Sequence, residues 1–424
     1  MDLALIHQHF LSCDSVSTDT RKITPNCMFF ALKGPNFNGN AFAEQALVQG
    51  ASFALIDEEN YKISEKTILV DNVLETLQKL SIYHRNYCKT KIVSLTGSNG
   101  KTTTKELIHA VLSTTYKTIA TIGNLNNHIG VPLTLLRLTP DTEIGIVEMG
   151  ANHQGEIAFL SNLAQPDFGY ITNFGKAHLE GFGGIEGVIK GKSELYSYLK
   201  KHDKHIFLNA DDPIQLEKLA PYIKKIGFSQ ELQDYYQIQL LSANPKVRLQ
   251  FEDITVQTQL IGAYNFTNCC AAITIAKYFN VPKKAIKKAL ENYNPKNNRS
   301  QLLEKNGHHV ILDAYNANPT STKAALTSFA ALPDQSKIVF LGDMFEVGAT
   351  AHQEHQAIAD YLLELGLNNA YLVGENYNKV KTMALQFKNF EALKKHLNAQ
   401  VIPKSTLLIK GSRGMAMERI LDLL

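Results

Sequence analysis

The sequence predicts an α/β protein of two or three domains, built largely around parallel β-sheets. From residue 91 onward, short apolar runs typical of buried strands alternate with amphipathic stretches of helical length. This alternation is the pattern of βαβ units, in which a helix connects two parallel strands. The length of 424 residues supports several domains, because one domain takes roughly 150 residues.

The composition excludes several classes of protein. Apolar residues make up 44% and charged residues 20% of the chain, which argues against intrinsic disorder. Lys and Arg number 43 against 40 Asp and Glu, so the basic excess of a nucleic-acid or membrane-surface binder is missing. No apolar run approaches the ~18–20 residues of a membrane-spanning helix, and the first residues do not resemble a signal peptide. The five cysteines form no C-x-x-C pair, which favours reduced thiols in a cytoplasmic protein.

The chain before residue 91 mixes short apolar runs with turn residues. Met28–Leu32 and Phe53–Ile56 are predicted buried strands, and Gly34-Pro35 and Asn38–Asn40 are predicted turns. The stretch Val73–Tyr87 has the pattern of a helix. We therefore expect a small α/β unit at the start of the chain.

The next part of the chain has the clearest strand–helix alternation. Each of three predicted strands is followed by a predicted helix: Ile92–Leu95 by Thr102–Ser113, Ile144–Val147 by Gln154–Leu163, and Gly169–Thr172 by Ile185–Leu199. The stretch Tyr236–Gln259 instead predicts two or three antiparallel strands at a sheet edge. A doubly wound, mostly parallel sheet is expected here.

A polar segment, Asn292–Asn298, contains a proline and no periodicity, and is predicted to be an interdomain linker. The α/β alternation resumes after it, which indicates a second doubly wound domain. Its predicted strands are His309–Leu312, Lys337–Leu341, Ala370–Val373 and Thr406–Ile409.

The strongest local signal is the loop Thr96–Thr103, with the sequence T-G-S-N-G-K-T-T, between a strand and a helix. Small residues let backbone N–H groups surround phosphate oxygens, and the helix N-terminus adds partial positive charge. Lys101 can reach the β- and γ-phosphates, and Thr102 offers a hydroxyl to Mg²⁺. Leu95 stands where the Walker A pattern has glycine, so the loop is a variant. ATP is the favoured ligand; the alternative is a glycine-containing turn with a surface lysine.

Three further residues are candidates for metal chemistry. Glu148 ends the apolar run before it, where a carboxylate faces the phosphate loop if the two strands are neighbours. The alternative is a solvent-facing glutamate at a strand end. His178 follows another strand, and a lone histidine of this kind is also often structural. Lys192 lies in a predicted helix, and from composition alone it is a surface lysine.

Together these motifs resemble the ordered motif series of the Mur ligases, cytoplasmic ATP-dependent enzymes that form amide bonds in the peptidoglycan stem peptide. The matching segments are Thr96–Thr102, Glu148–Asn152, Asn173–His178 and Gly262–Asn268. The family loop is T-G-x-N-G-K-T, which accounts for Leu95.

Four more segments resemble the member of the family that adds D-alanyl-D-alanine: Gly123–Pro132, Asp313–Pro319, Leu341–Gly348 and Lys410–Gly414. The resemblance implies ATP-dependent joining of this dipeptide to UDP-MurNAc-tripeptide through an acyl phosphate. The nearest alternative is a sister ligase that adds a single amino acid to a muropeptide. A folate-glutamate ligase, a regulatory protein without catalysis and a generic P-loop kinase or transport ATPase are more distant alternatives.

The resemblance also implies a three-domain Mur ligase architecture. A small α/β N-terminal domain, residues 1–88, is expected to bind the UDP end of the precursor. A central P-loop domain with a doubly wound parallel sheet, residues 89–297, is expected to hold ATP. A Rossmann-like α/β C-terminal domain, residues 298–424, is expected to help bind the dipeptide.

Site residues follow from the resemblance, position by position. The implied catalytic residues are Lys101, Glu148, His178 and Lys192. The implied ATP-binding residues are Thr96, Gly97, Ser98, Asn99, Gly100, Lys101, Thr102, Thr103, Asn265, Asn268, Arg299 and Asp313. The implied metal ligands are Thr102, Glu148, His178 and Lys192, the last of these as a carbamate. The implied substrate-binding residues are Thr18, Asp19, Arg21, Lys33, Asn127, Asn316, Asn318, Lys410 and Arg413.

Simpler interpretations of some of these residues remain open from the sequence. Asn265 and Asn268 have the spacing of a helix cap, and Asn316 and Asn318 precede Pro319 at a predicted helix start. Lys410 and Arg413 are equally consistent with a solvated basic loop.

The implied cofactors are ATP and two Mg²⁺ ions, and the implied partners are the two small-molecule substrates. We expect no nucleic-acid partner, no membrane insertion, a monomer and a cytoplasmic location.

Overall fold

The computed structural model describes residues 2–296 and 298–424. The chain groups into two compact units. Unit 1 comprises Met1–Leu95, Tyr116–Gly150 and Ile157–Gly169; unit 2 comprises Thr96–Thr115, Ala151–Glu156 and Tyr170–Leu424. Among the described residues, no helix combines the length and apolarity needed to cross a membrane.

The first part of the chain forms a small parallel sheet with helices on both faces. Its strands are β1 (Ser15–Ser17), β2 (Cys27–Phe30), the two-residue pair β3 (Lys33–Gly34) and β4 (Phe37–Asn38), β5 (Phe53–Ile56) and β6 (Thr67–Leu69). Its helices are α1 (Leu3–Leu11), α2 (Ala43–Val48) and α3 (Val73–Cys88). The four-stranded sheet has the order β1-β2-β5-β6, and all neighbours in it are parallel.

Strand β2 explains why this sheet is covered on both faces. Its side chains alternate between two cores, because successive residues of a strand point to opposite faces. Met28 and Phe30 pack with Leu77 of α3 on one face, whereas Cys27 and Phe29 pack on the other, next to Ala46 of α2. The predicted strand over Met28–Leu32 is therefore correct in place, but it ends at Phe30, where the chain turns and Leu32 N donates to Phe30 O.

Two histidines in unit 1 form a buried hydrogen-bonded chain that sequence analysis did not single out. His84 Nε2 lies 2.8 Å from Leu138 O, which can only accept, so this nitrogen carries the proton. His84 Nδ1 then accepts from His7 Nε2 at 3.0 Å. Both rings are buried, and desolvation is the main cause that lowers the pKa of each below its ordinary value. The arrangement requires a neutral His84, whose Nδ1 accepts, and burial disfavours the charged form of both rings.

We therefore expect the protein to lose stability as the pH falls. A histidine whose pKa is lowered by folding binds fewer protons in the native than in the unfolded state, so its stabilising contribution is complete above about pH 6.5 and declines below it. Thermal unfolding midpoints measured between about pH 8 and about pH 5 test this. His7→Gln replaces the imidazole N–H donor with an amide N–H donor and removes one titrating group. The unfolding midpoint of this variant is therefore expected to change less with pH. The exposed His128 provides the control His128→Gln; equal slopes in all three proteins would contradict the assignment.

The middle of the chain contributes a nine-stranded sheet. Its strands are β7 (Lys91–Thr96), β8 (Thr118–Ala120), β9 (Ile144–Glu148), β10 (Phe168–Ile171), β11 (His205–Asn209), β12 (Lys225–Ser229), β13 (Tyr236–Ser242), β14 (Lys246–Phe251) and β15 (Ile254–Ile261). The helices here are α4 (Lys101–Leu112), α5 (Gly130–Leu135), α6 (Glu156–Ala164), α7 (Leu179–Phe182), α8 (Ile185–Lys201), α9 (Pro213–Leu219), α10 (Tyr264–Tyr278) and α11 (Lys283–Asn292). The strand order is β15-β14-β13-β12-β11-β10-β7-β9-β8.

The pairing of these strands confirms the predicted sheet type. Strand β9 is parallel to both β7 and β8, and β11, β12 and β13 are parallel to one another. At the edge, β13, β14 and β15 form an antiparallel meander, as the alternation in Tyr236–Gln259 predicts. The helix predicted from Gln154 begins instead at Glu156, whose carboxylate accepts from the backbone amides of Asn152 and His153 and holds those residues in a turn.

The last part of the chain forms a six-stranded sheet in unit 2. Its strands are β16 (Gln301–Lys305), β17 (His308–Asp313), β18 (Lys337–Gly342), β19 (Ala370–Val373), β20 (Leu385–Phe387) and β21 (Thr406–Lys410), and its helices are α12 (Pro319–Ala330), α13 (Ala351–Glu364) and α14 (Phe390–Asn398). The order is β16-β17-β21-β18-β19-β20, parallel except for β16. All four predicted strands are present. Sequence analysis missed the two edge strands, which are only five and three residues long.

The irregular segment after α11 begins at Tyr293, one residue later than the predicted linker, because Asn292 is the last residue of that helix. The predicted boundary at residue 297 lies outside the described residues. The boundaries of the three expected domains therefore stay a prediction. All five cysteines are free thiols in the structure, and four of them are buried.

Candidate functional site

The loop Thr96–Thr103 joins β7 to α4 and depends on two glycines. Gly97 has φ +142° and Gly100 has φ +81°, backbone conformations that favour glycine. A Cβ on Gly97 would lie 2.0 Å from Thr172 Oγ1, and one on Gly100 would lie 2.7 Å from Asn268 Oδ1. Both glycines thus permit the backbone to approach neighbouring polar groups that larger residues would displace.

Residues that follow β10 hold the loop in place. Ser98 N donates to Asn173 O at 3.0 Å, and Asn99 N donates to Asn173 Oδ1 at 3.2 Å. The hydroxyl of Thr172 and the amide group of Asn173 both donate to Asn99 O. This clamp gives the loop a defined shape, as a preformed anion site requires. Sequence analysis predicted neither Thr172 nor the clamping role of Asn173. The polar residues that follow β10 were the sequence feature that could have indicated contacts with the loop.

Lys101 is the first residue of α4, and its ammonium group folds back over the loop. Its Nζ donates to Gly97 O at 2.6 Å and to Ser98 O at 3.2 Å. The first i→i−4 bond of the helix runs from Thr104 N to Gly100 O, so the amides of the preceding turn face the end of the helix. Thr102 and Ser98 are buried, whereas Lys101 and Thr103 are half-buried. The loop therefore concentrates positive charge and N–H dipoles in one place.

Glu148, at the end of β9 in unit 1, is buried at 1% relative exposure. Its strand is in parallel register with β7, and Glu148 lies opposite Leu95, the residue directly before the loop. Asn126 Nδ2 donates to Glu148 Oε1 at 2.8 Å, and the Thr121 hydroxyl accepts from Glu148 N. The interpretation as a solvent-facing glutamate is wrong, because parallel neighbours enclose the strand end.

Lys192, in the middle of α8, is completely buried and not a surface lysine. Its Nζ donates to Ala151 O at 2.9 Å and lies 4.9 Å from the centre of the Phe182 ring. Burial, reinforced by the nearby charge of Lys101, lowers the pKa of Lys192 well below its usual range. The spacing of apolar residues in α8 indicated this burial. Val188, four residues before Lys192, and Leu195, three residues after it, lie on the same helix face and are buried.

His178 precedes α7 in a left-handed conformation, with φ +52°. Its Nδ1 lies 2.6 Å from Oε2 of Glu346, which also has a positive φ, of +61°. The hydrogen bond from His178 lowers the pKa of the Glu346 carboxyl group. Two strained non-glycine residues that meet in one contact are typical of functional sites. Sequence analysis placed Glu346 in a family motif without a role for its side chain.

Asn265 and Asn268 belong to the first turns of α10 and are both buried. Asn268 Nδ2 donates to Asn265 Oδ1 at 2.8 Å, and the Thr104 hydroxyl donates to Asn268 Oδ1 at 3.0 Å. Neither side chain caps the helix, so that alternative is wrong. Instead, the two amides connect α10 to the phosphate-loop helix α4.

Asp313 and Lys410 form a buried ion pair across the C-terminal sheet. Lys410 Nζ lies 2.6 Å from Asp313 Oδ2 and also donates to Asn316 O, while Asp313 Oδ1 accepts from Ser300 N at 3.0 Å. The alternative of a solvated basic loop is wrong for Lys410, which is 2% exposed. The side chain of Arg413 is largely exposed and pairs with Glu418 at 3.2 Å.

The two asparagines before α12 have different surroundings. Asn318 is the N-cap: its Oδ1 accepts from Ser321 N, and its Nδ2 donates to Asn99 Oδ1 of the phosphate loop at 2.6 Å. The capping alternative is therefore correct for Asn318, which at the same time contacts the loop. Asn316 is exposed, and its Oδ1 accepts from Ala317 N.

The residues expected to contact the substrate in unit 1 lie on the N-terminal elements and before α5. Asp19 accepts two hydrogen bonds from the Arg21 guanidinium, and Thr18, next to this pair, is half-buried. Lys33 Nζ lies 3.1 Å from Asp57. Asn127 is exposed, and its Oδ1 accepts from the amides of Ile129 and Gly130.

Sequence analysis missed two residues here. Asp57 holds Lys33 and also accepts from Asn40, and Asn126, next to the predicted Asn127, is the residue that contacts Glu148. Asn126 lay within a motif that was already singled out.

Family models account for most of the chain. The model described as Mur ligase family, catalytic domain, matches residues 12–85, the Mur ligase middle domain matches residues 95–276, and the Mur ligase, glutamate ligase domain, matches residues 298–413. The chain belongs to the Mur ligase family. The resemblance identified from the motifs is thus confirmed.

Individual Mur ligases are similar to this one over almost their whole length. A UDP-N-acetylmuramoyl-tripeptide–D-alanyl-D-alanine ligase from Escherichia coli is 34% identical over 427 residues, which cover 97% of this chain and 93% of that protein. The enzyme of the same name from Bacillus subtilis is 35% identical over 421 residues, 96% of this chain and 92% of that protein.

Solved Mur ligase structures have the same fold. MurF from Acinetobacter baumannii has a TM-score of 0.85 at 30% identity and covers 99% of this chain, with 98% of that chain matched. MurF ligase from Thermotoga maritima, solved in complex with ADP, has a TM-score of 0.84 at 25% identity, with 98% and 97% of the two chains covered.

Proposed function

We propose that this Mur ligase joins D-alanyl-D-alanine to UDP-MurNAc-tripeptide with hydrolysis of ATP, giving UDP-MurNAc-pentapeptide, ADP and phosphate. The observation that carries the proposal is the clamped loop Thr96–Thr103, with Lys101 folded over it, in a chain about one-third identical to ligases of that name. A loop of this kind binds the phosphates of a nucleoside triphosphate.

The tripeptide carboxylate is a poor electrophile, so the reaction first activates it and then forms the amide bond. An oxygen of the tripeptide carboxylate attacks the γ-phosphorus of ATP, the bond from that phosphorus to the β–γ bridging oxygen breaks, and ADP leaves. The amino nitrogen of D-alanyl-D-alanine then attacks the acyl carbon of the acyl phosphate. The carbon–oxygen bond to phosphate breaks, the nitrogen loses a proton and inorganic phosphate leaves. The protein contributes mainly position and charge stabilisation, as in other phosphoryl transfers.

The proposed nucleotide-binding residues are those of the loop together with Asn265, Asn268, Arg299 and Asp313. Lys101 and Arg299 supply positive charge to the transferring phosphoryl group. Asn265 and Asn268, buried beside α4, are proposed for the adenine side of the site.

The proposed substrate-binding residues divide between the two ends of the precursor. Thr18, Asp19, Arg21 and Lys33 are proposed for the UDP end. The residues proposed for the peptide and dipeptide end are Asn127, Asn316, Asn318, Lys410 and Arg413. Lys410 is buried and bonded to Asp313 and to Asn316 O, so we propose that it contributes to this end of the site by orienting the segment Asp313–Asn318.

The residues present fit magnesium ions. Thr102 offers a hydroxyl, Glu148 a buried carboxylate and His178 an imidazole, and oxygen donors of the first two types suit Mg²⁺. When bound, Mg²⁺ supplies neutralisation of phosphate charge. Among the described residues, no three His, Cys, Asp or Glu side chains form a metal cluster.

Carbamylated Lys192 is the proposed additional ligand. A buried lysine with a strongly lowered pKa is largely an uncharged amine, which is the form that adds to carbon dioxide. The addition gives a carbamate anion with the loss of one proton. The carbamate places an anion near the Lys101 ammonium group, where burial and the charge of Lys101 both disfavour a charged ammonium on Lys192. Two Mg²⁺ ions are proposed on this basis.

We further propose the three-domain division at residues 1–88, 89–297 and 298–424, a monomer in solution and a cytoplasmic location. The separate sheets β1-β2-β5-β6 and β16-β17-β21-β18-β19-β20 support the first and third domains.

The decisive test is ATP-dependent phosphate release with purified protein. We expect release only when UDP-MurNAc-tripeptide and D-alanyl-D-alanine are both present, with a pentapeptide product identified by mass spectrometry. Release with the tripeptide and a single amino acid would instead assign the protein to a sister ligase. Nucleotide binding without release for any acceptor would indicate a regulatory protein.

A further inference from the structure

Arg299, in the turn before β16, has an aromatic partner. Its guanidinium carbon lies 3.6 Å from the centre of the Tyr315 ring. No carboxylate of residues 2–296 or 298–424 forms an ion pair with Arg299. A guanidinium stacked on a ring keeps its edge N–H donors directed outward, since the ring interacts with its face. Arg299 is therefore held in orientation while its charge stays available to an anion.

The backbone on both sides of Arg299 is also attached to the Tyr315 segment. Asn298 and Ser300 have φ of +57° and +48°, which is uncommon for residues other than glycine. Tyr315 N donates to Asn298 O at 3.1 Å, and Ser300 N donates to Asp313 Oδ1 at 3.0 Å. These two bonds set the turn, and the ring then sets the direction of the Arg299 side chain.

A second cation uses the same ring. The guanidinium carbon of Arg413, which follows β21, lies 5.9 Å from the centre of the Tyr315 ring. Arg299 and Arg413 are thus held beside one aromatic side chain, although 114 residues separate them in sequence. Arg413 also pairs with Glu418 at 3.2 Å, but its side chain is largely exposed, which makes such a pair weak. The cluster Arg299–Tyr315–Arg413 thus brings two guanidinium groups to one aromatic ring, an arrangement that suits an anionic ligand.

We propose that Tyr315 is a positioning residue that orients Arg299 toward the nucleotide phosphates and Arg413 toward the dipeptide. This proposal rests on the proposed function, which assigns the two arginines to those ligands. Tyr315 acts through the face of its ring and not through its hydroxyl group. It links the two binding events, because loss of the ring removes an aromatic contact from both arginines and leaves Arg413 with its partner Glu418 alone.

The first test measures binding of the non-hydrolysable ATP analogue AMP-PNP by calorimetry, without acceptor substrates. Tyr315→Leu is expected to weaken binding about tenfold, the value of one or two cation–π contacts. Tyr315→Phe keeps the ring and is expected to bind within about threefold of the wild type. Tyr361→Leu is the matched control, because Tyr361 also lies against a cation, Lys323 at 5.5 Å, outside the proposed site. Equal loss in the Phe and Leu variants, or no loss in Leu, would overturn the proposal.

The second test distinguishes positioning from general structural damage. In an Arg299→Ala background, Tyr315→Leu is expected to weaken AMP-PNP binding by less than about twofold, since the group it positions is gone. An additional tenfold loss in that background would overturn the proposal. In ligase assays, Tyr315→Leu is expected to raise the KM for D-alanyl-D-alanine, and Arg413→Ala is expected to remove this effect. If AMP-PNP binding follows the expected pattern but no pentapeptide forms, the proposed function fails and the positioning of Arg299 stands.

Discussion

Replacing Lys101 with alanine is expected to lower kcat about 10³-fold, the scale associated with a cation that stabilises a transferring phosphoryl group. The Lys101 ammonium group lies over the loop that we assign to the ATP phosphates, bonded to Gly97 O and Ser98 O. We expect that group to exchange its carbonyl partners for phosphate oxygens when ATP binds. Phosphate release with both substrates present measures the loss.

The fold is expected to survive this substitution. The two hydrogen bonds from Lys101 contribute about 1 kcal/mol each, so the unfolding midpoint changes by only a few degrees. Lys117→Ala removes an exposed ammonium group and provides a control with full activity. A correctly folded Lys101→Ala enzyme with normal turnover would contradict the assignment of the phosphate loop.

Replacing Lys192 with alanine is expected to lower kcat about 10²-fold or more, because the site loses a proposed anionic group beside the transferring phosphate. Added acetate or another short carboxylate is expected to restore part of the activity by occupying the space that the side chain leaves. The neighbouring Lys190, two residues earlier in the same helix and exposed, gives the matched control Lys190→Ala.

Two observations separate the carbamate from a purely structural role of Lys192. After incubation with ¹³C-bicarbonate, the wild type is expected to show a ¹³C NMR carbamate resonance that Lys192→Ala lacks. A resonance of equal intensity in both proteins would show that the carbamate is elsewhere. Full activity of Lys192→Ala without any carboxylate would mean that the side chain only fills its pocket.

Features encoded by neighbouring residues were predictable from the sequence. The phosphate loop, the strand before it and the helix after it are specified by small residues, a buried apolar run and an amphipathic repeat within one short segment. The same is true of the antiparallel edge strands in Tyr236–Gln259, where alternation is a local property. The N-cap role of Asn318 was also open to prediction, because Pro319 directly follows it.

Features that depend on distant residues were not predictable in this way. The pairing of His178 with Glu346 joins positions 168 residues apart, and the stacking of Arg299 on Tyr315 requires a particular turn before β16. The edge strands β16 and β20 have weak patterns of their own and depend on β17 and β19 for pairing.

The sequence by itself determined the fold class, the family and the chemical types of residue in the candidate site, because these depend on local patterns and on ordered motifs. The tertiary structure decided which of those residues are buried and what they contact. In the folded chain Lys192 and Glu148 are buried, and Lys410 pairs with Asp313. Two arginines lie beside the ring of Tyr315. The physical reason is that burial and electrostatic environment are set by groups far apart in the chain, which come together only when the sheets and helices pack.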